Sequence, residues 1–321
     1  MIELKEEIEE IQEEVAEADH EADEAMRDEG LFLAWNGREL RKRELAKRFF
    51  RLLPQLPGFR WYAEHVAPRH LRLERVIVPL PHLPPELAGL RIGLLTDIHH
   101  DLGRPLALLR KGVDLLNAAA PDLVVLGGDY IVSRAAGFDA CAAILGQLRA
   151  PLGVYAILGN HDYWAGGDLI AAKVEATGAT VLRNESRRVA KGDAEFWLIG
   201  LDDAARRRVD LDAAFADVPE GSFRILLAHE PDMADHLDGH RVDLQLSGHT
   251  HGGQVVLPLV GPLILPILGR RYIKGLDRLA THTLYTSRGL GGVPPFARLN
   301  CPPEVTILTL VGEGPAADTQ G

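Results

Sequence analysis

The sequence predicts an α/β fold in which buried, mostly parallel strands alternate with helices. Three observations predict it. From Arg91 onward, short apolar runs alternate with longer helix-like stretches. The runs are continuously apolar, as strands covered on both faces are. Several of them end in Asp, Asn or His, as happens where a sheet edge delivers side chains to a ligand. At 321 residues the chain is long enough for one large domain with an appendage. A hydrophobic fraction of 46% and a charged fraction of 25% are those of an ordinary globular protein, which excludes disorder of the whole chain.

Taken in order, residues 1–78 read as an N-terminal helical arm and 79–321 as the main domain. Leu4, Ile8, Ile11, Val15, Ala18, Ala22 and Ala25 recur at steps of four and three. That spacing is a helical seam, which fades into alanine and ends at Gly30. Residues 1–30 hold 14 acidic and 2 basic side chains, and 31–75 reverse this with 11 basic and 4 acidic. Within the second stretch, "RELRKRELAKRFFRLL" reads as a basic amphipathic helix. It either lies on an anionic membrane surface through 38–51 or packs its Leu and Phe face on the body. The proline-rich "PLPHLPPELAGL", 79–90, leads into the domain.

Beyond it, strands are predicted at 91–96, 122–126, 153–158, 196–201, 223–228 and 243–247. Helices are predicted near 105–119, 138–149, 168–176, 210–216 and 231–238. The run "VVLPLVGPLILPILG", 255–269, is apolar but broken by Pro258, Pro262 and Pro266. Neither a helix nor a central strand holds three such prolines, so a loop is expected. It either packs on the body or offers its apolar side chains to an acyl chain or a membrane.

The net charge of -11 belongs to the arm, and the body is close to neutral. A neutral body argues against generic nucleic-acid binding, which depends on many Lys and Arg contacts to phosphate. Cys141 and Cys301 have no metal-type spacing and read as buried small apolar residues of a reducing compartment. No basic start followed by an apolar stretch suggests a secretory signal, and no window approaches about 18 apolar residues. The expected location is therefore cytoplasmic, with peripheral contact on the inner face of the membrane as the membrane-bound alternative.

Five apolar runs end in candidate ligands: Asp97 and His99; Asp129; Asn160, His161 and Asp162; His229; His249 and His251. Each alone has a bland explanation, as a helix cap, a turn residue or a satisfied core histidine. Together they would converge on one spot at the strands' C-terminal edge. Within each pair, Asp97 with His99 and His249 with His251, side chains two apart on extended chain point the same way. Imidazole and carboxylate donors without cysteine suit Mn, Fe or Zn. Two carboxylates, four histidines and an amide oxygen are too many for one tetrahedral ion, so two divalent ions are indicated. Such a pair clamps the attacking and leaving oxygens of a phosphoryl transfer.

"DIH", "GGD", "GNHD", a single His after a strand, and "GHTH", in that order, resemble the calcineurin-like metallophosphoesterases over residues 90–312. The resemblance implies a four-layer α-β-β-α sandwich of the metallophosphoesterase type. It implies one metal on Asp97, His99, Asp129 and His251. Asp129 would bridge to a second metal on Asn160, His229 and His249, and a bridging hydroxide would hydrolyse a phosphodiester or pyrophosphate bond. His161 would contact the phosphate and protonate the leaving oxygen, with Asp162 orienting it. Many members carry an Asp three residues after the bridging one, where Val132 stands here.

"HTHGGQVVLP", "RRYIKGL" and "YTSRGLGG" resemble a bacterial branch often tethered to membranes. It includes enzymes of lipid-linked or nucleotide-sugar phosphoesters, such as UDP-diacylglucosamine pyrophosphatases. Arg288, amid glycines, is a candidate phosphate contact or a structural salt bridge. Two other function classes stand beside the hydrolase: a non-catalytic interaction module of the same fold, which would have lost ligands, and a DNA-repair nuclease, which would need a basic surface.

Overall fold

A computed structural model of the protein describes residues 70–100, 106–132, 135, 137–293 and 297–313. Its elements begin with β1 (Arg72–Leu80), β2 (Arg91–Leu95), α1 (Ala107–Ala119), β3 (Leu123–Leu126), α2 (Phe138–Leu145) and β4 (Val154–Ala156). There follow α3 (Asn160–Trp164), α4 (Gly167–Glu175), β5 (Thr180–Val181), β6 (Glu185–Lys191), β7 (Ala194–Gly200) and α5 (Leu211–Phe215). The chain continues through β8 (Arg224–Leu227), β9 (Leu244–Ser247), β10 (Val256–Leu257), β11 (Gly261–Pro262), β12 (Gly275–Arg278), β13 (Thr283–Thr286) and β14 (Glu304–Gly312).

Two six-stranded sheets result, ordered β1-β14-β2-β3-β4-β5 and β12-β13-β9-β8-β7-β6. Their central neighbours are parallel: β2 with β3, β3 with β4, β7 with β8, and β8 with β9. This is the parallel core expected from the continuously apolar runs. Antiparallel pairs, β14 with β2, β6 with β7 and β12 with β13, bring in strands outside those runs.

Alternation along each strand divides the side chains between layers. Ile92 and Leu94 face the second sheet, whereas Leu95 faces the helices. In β3, Leu123 and Val125 go to the inter-sheet layer, and Val124 and Leu126 to the helical one. Ile225 and Leu227 of β8 meet that inter-sheet layer from the other side, while Leu226 turns outward to Ala214 and Phe215 of α5. Three apolar layers separate four structural ones, which is the α-β-β-α sandwich.

Leu109, Val113 and Leu116, spaced by four and three, seat α1 on the first sheet with Phe138 and Cys141 of α2 and Ile170 and Val174 of α4. Helix α1 stops where Ala120 turns left-handed at φ 48° ahead of Pro121. Both cysteines are free and buried.

The first sheet takes in residues that the sequence reading joins to the arm: β1, from Arg72, pairs in parallel with β14 from Glu304. Its mixed polarity reflects an edge position, with Ile77 67% exposed. The acidic helix 1–30 and the basic stretch 38–51 lie outside the described residues. Among the described residues, no helix is long and apolar enough to cross a membrane.

Candidate metal centre

The C-terminal ends of β2, β3, β8 and β9, with the start of α3 after β4, bring the predicted ligands together. Asp97, His99, Asp129, Asn160, His161, His229, His249 and His251 are all buried. Three groups have ligand atoms within 4.8 Å of one another: Asp97, His99 and His251; His99, Asp129 and His161; and Asp129, His229 and His249. Asp129 belongs to two of them. Its Oδ2 lies 3.1 Å from His229 Nε2 and 3.4 Å from His99 Nε2, and its Oδ1 accepts the His161 N–H at 3.0 Å. His249 and His251, one residue apart, fall in different groups.

Extended chain does not achieve this, contrary to the expectation for the two pairs. Asp97, His99, Asp129, His249 and His251 all have φ between 45° and 69°. The strands have ended, and left-handed backbone, which Asp tolerates better than most and His also visits, turns each side chain inward. Hydrogen bonds hold the turns: Asp97 N–H donates to Gly128 O and His99 N–H to Asp129 O, both at 3.0 Å. His249 N–H donates to Asp97 Oδ1 at 2.9 Å, joining ligand loops of the two sheets. A Cβ at Gly159 would overlap Asp129 Oδ1, and one at Gly248 would overlap Asp97 Oδ2. The glycines of "GN" and "GH" are therefore demanded by the approach of a carboxylate.

Backbone carbonyls fix three of the rings. His229 Nδ1 donates to Gly127 O and His249 Nε2 to Ile267 O, both at 2.7 Å, and His161 Nδ1 donates to Val132 O at 2.6 Å. A carbonyl can only accept, so each ring carries a proton there and, when neutral, has its lone pair on the opposite nitrogen. What remains is a set of buried polar atoms without hydrogen-bond partners, Asp97 Oδ2, both nitrogens of His99 and Asn160 Oδ1, with His229 Nε2 facing only Asp129 Oδ2. Leaving such atoms unpaired is costly. Nitrogen and oxygen donors at this spacing fit divalent cations.

The electrostatics of His99, His251 and Asp129 agree with ligation, whereas His229 and Asp97 would each give up a proton to a cation. Burial holds His99 and His251 well below the usual imidazole range, helped by His161 and His99 respectively, so both are neutral donors. Burial would raise Asp129, but His229 and His161 outweigh it and hold the carboxyl well below its ordinary range. Burial would lower His229, yet the Asp129 charge raises it well above. Asp97 is raised, chiefly by burial.

One predicted role changes. The Asp162 carboxylate does not orient the His161 ring, whose Nδ1 is taken by Val132 O. It accepts the N–H groups of Asp129, Tyr130 and Gly159 at 2.8 to 2.9 Å. Asp162 is thus the brace of the Asp129 loop, with its own carboxyl pushed up to about 8 by burial and by Asp129. Asp162→Ala strands these donors, and a loss of roughly 3–5 kcal/mol in unfolding free energy is expected. Urea unfolding measures it, and a loss under about 1 kcal/mol would contradict the brace. Arg288 is the salt bridge of the two readings offered by the sequence, paired with Glu304 and Glu74.

Sequence reasoning missed the supports. Arg298, fully buried, donates to the carbonyls of Arg288, Gly289, Gly291 and His251, cross-linking the segments behind the ligands. The apolar loop 255–269 contributes Ile267 O to His249, and Ile267 and Leu268 join the outer core of the second sheet. Its other end, the β10–β11 hairpin, leaves Leu259 and Val260 109% and 63% exposed. That one stretch packs at its base and projects at its tip.

Residues 90–253 match the family described as calcineurin-like phosphoesterase. The chain is 37% identical over 229 residues to phosphodiesterase YaeI of Escherichia coli, covering 70% of this chain and 83% of that one. It is 32% identical to the metallophosphoesterase YkuE of Bacillus subtilis, covering 78% and 88% of the two chains. UDP-2,3-diacylglucosamine pyrophosphatase LpxG of Chlamydia trachomatis is 27% identical, over 80% of this chain and 94% of its own.

Proposed function

From the premise that this chain belongs to the calcineurin-like phosphoesterase family and is a hydrolase, we propose that it cleaves a phosphodiester or pyrophosphate bond at a dinuclear centre. Asp97, His99, Asp129 and His251 would hold one divalent cation, and Asn160, His229 and His249 a second, with Asp129 shared. The observation that carries this is the buried, partnerless set of donor atoms around Asp129. Mn, Fe or Zn bound there would supply the positive charge that draws a phosphate and the Lewis acidity that activates water.

The residues of the chain do the rest. Val132 O holds the His161 ring by Nδ1, leaving Nε2 as the nitrogen that works. With both nitrogens protonated, His161 gives the Nε2 proton to the departing oxygen and returns to the neutral ring. Burial lowers the His161 pKa, so the doubly protonated form is populated only towards lower pH, and activity that needs this acid should fall as pH rises. With the cations bound, neutral Asn160 in place of a third carboxylate would leave a positive excess that favours an anionic ester.

The test is activity of the purified chain with Mn on bis-p-nitrophenyl phosphate and on nucleotide-sugar lipids across a pH series, with metal content by elemental analysis. Turnover with about two metals per chain is expected. Inertness on every substrate in a metal-loaded sample would overturn the reading.

A lipid-linked substrate is favoured by the exposed apolar hairpin tip, in a stretch whose base reaches His249 through Ile267 O, and by the similarity to LpxG, named for a diacylglucosamine substrate. Peripheral contact through 255–269 follows from the same tip. In vesicle flotation, the double change Leu259→Glu and Val260→Glu is expected to weaken binding to anionic liposomes by about 10-fold. Equal flotation of variant and parent would remove the hairpin from the membrane reading.

A further inference from the structure

Beside the centre, a tryptophan stands against His161 and an arginine lies over that tryptophan, neither among the candidate ligands. Trp164 closes α3, and its ring centroid lies 4.0 Å from that of His161. The guanidinium of exposed Arg206 lies over the Trp164 ring, 5.8 Å from its centroid. Arg206 sits in the turn 204–207, just beyond β7 and on the same sheet edge as His229 and His249. The turn is anchored from beneath. Buried Glu230, next to His229, accepts the N–H groups of Ala204 and Ala205 at 3.4 and 3.2 Å. The turn that carries Arg206 is thus tied to the loop that carries a candidate ligand.

The neighbouring arginines are engaged differently. Arg183 and Arg208 lie over the Tyr163 ring, 5.6 and 4.7 Å from its centroid. Both face Asp202, with Nε to Oδ2 distances of 3.6 and 3.5 Å, and Arg183 also pairs with Asp168. Those charges are balanced by carboxylates within the chain. Arg206 instead rests on an aromatic face, which steadies a guanidinium while leaving its planar N–H edge able to grip a phosphate in bidentate fashion.

We propose that Arg206 and Trp164 form a subsite for a second anionic group on the substrate, of the kind carried next to the scissile phosphate in a diphosphate diester. This rests on the phosphoesterase reading and refines it: the subsite selects diphosphate diesters over simple diesters with no further charge. The mechanism is electrostatic and geometric, since a second phosphate reaching Arg206 positions the first against His161 and the centre.

The experiment compares parent, Arg206→Ala and Arg206→Lys, all Mn-loaded, on UDP-glucose as a diphosphate diester and on bis-p-nitrophenyl phosphate. The ratio of kcat/KM between the two substrates is expected to fall about 10-fold in Arg206→Ala, mainly through KM, with partial recovery in Arg206→Lys. A ratio that moves less than about two-fold, or a loss shared equally by both substrates, would overturn the subsite while leaving the phosphoesterase reading intact. Should the parent turn over neither substrate, fluorescence decides the subsite by itself. A change in Trp164 emission on titration with inorganic pyrophosphate, absent in Arg206→Ala and Trp164→Phe, sustains it. No change in the parent overturns it.

Discussion

Asp129→Asn is expected to lower kcat/KM on bis-p-nitrophenyl phosphate by on the order of 10³-fold or more, and to lower metal content with it. The size follows from position. Asp129 is the member common to two donor groups, with one carboxylate oxygen facing His229 and His99 at 3.1 and 3.4 Å. An amide keeps the shape and an oxygen acceptor for the His161 N–H, so the fold survives. It removes the charge that two cations would share, and cation affinity falls with it. Elemental analysis and kinetics on the same preparation, with far-UV circular dichroism as the check on folding, measure the effect. Full metal content with a loss below about 10-fold would show that Asp129 is not shared between cations.

His161→Asn is expected to separate chemistry from metal binding. A loss of about 10²–10⁴-fold is expected on substrates whose leaving oxygen needs a proton, and a much smaller one on p-nitrophenyl esters, whose leaving group departs as the anion. Metal content should stay at the parent level, because the His161 Nδ1 proton is committed to Val132 O and the ring stands against Trp164. The opposite result has a structural basis as well: His161 forms one donor group with His99 and Asp129. Metal lost in step with activity, and to the same degree on both kinds of ester, would make His161 a ligand and not an acid.

Much of the sandwich is visible along the chain because its central strands are parallel and buried. Such strands read as unbroken apolar runs, and β2, β3, β4, β7, β8 and β9 each lie within or close to a predicted run. The edge and antiparallel strands are different. β6, "ESRRVAK", has little but Val189 to bury, and β1 has mixed polarity because it has a neighbour on one side only. β14 is apolar, but its place between β1 and β2 depends on partners far away in the chain.

The candidate ligands were legible for a related reason: a strand that stops in Gly-Asp or Gly-Asn-His advertises its end. The supports were not. Gly127 O, Val132 O and Ile267 O act through the backbone, which every residue has, so no side-chain pattern records them. Arg288 shows the converse. Its setting among glycines leaves a phosphate contact and a salt bridge both open, and its partners Glu74 and Glu304 are distant in sequence.

The left-handed backbone at Asp97, His99, Asp129, His249 and His251 bears on how relatives of this fold should be judged. A lineage that abandoned catalysis would still be pressed to keep Asp, Asn, His or Gly at those five places, since bulkier or β-branched residues fit the conformation badly. Asn160 and His229 have no such steric reason to persist. Their retention is the sounder mark of a working hydrolase, and their decay the earlier sign of a descendant kept only as a scaffold.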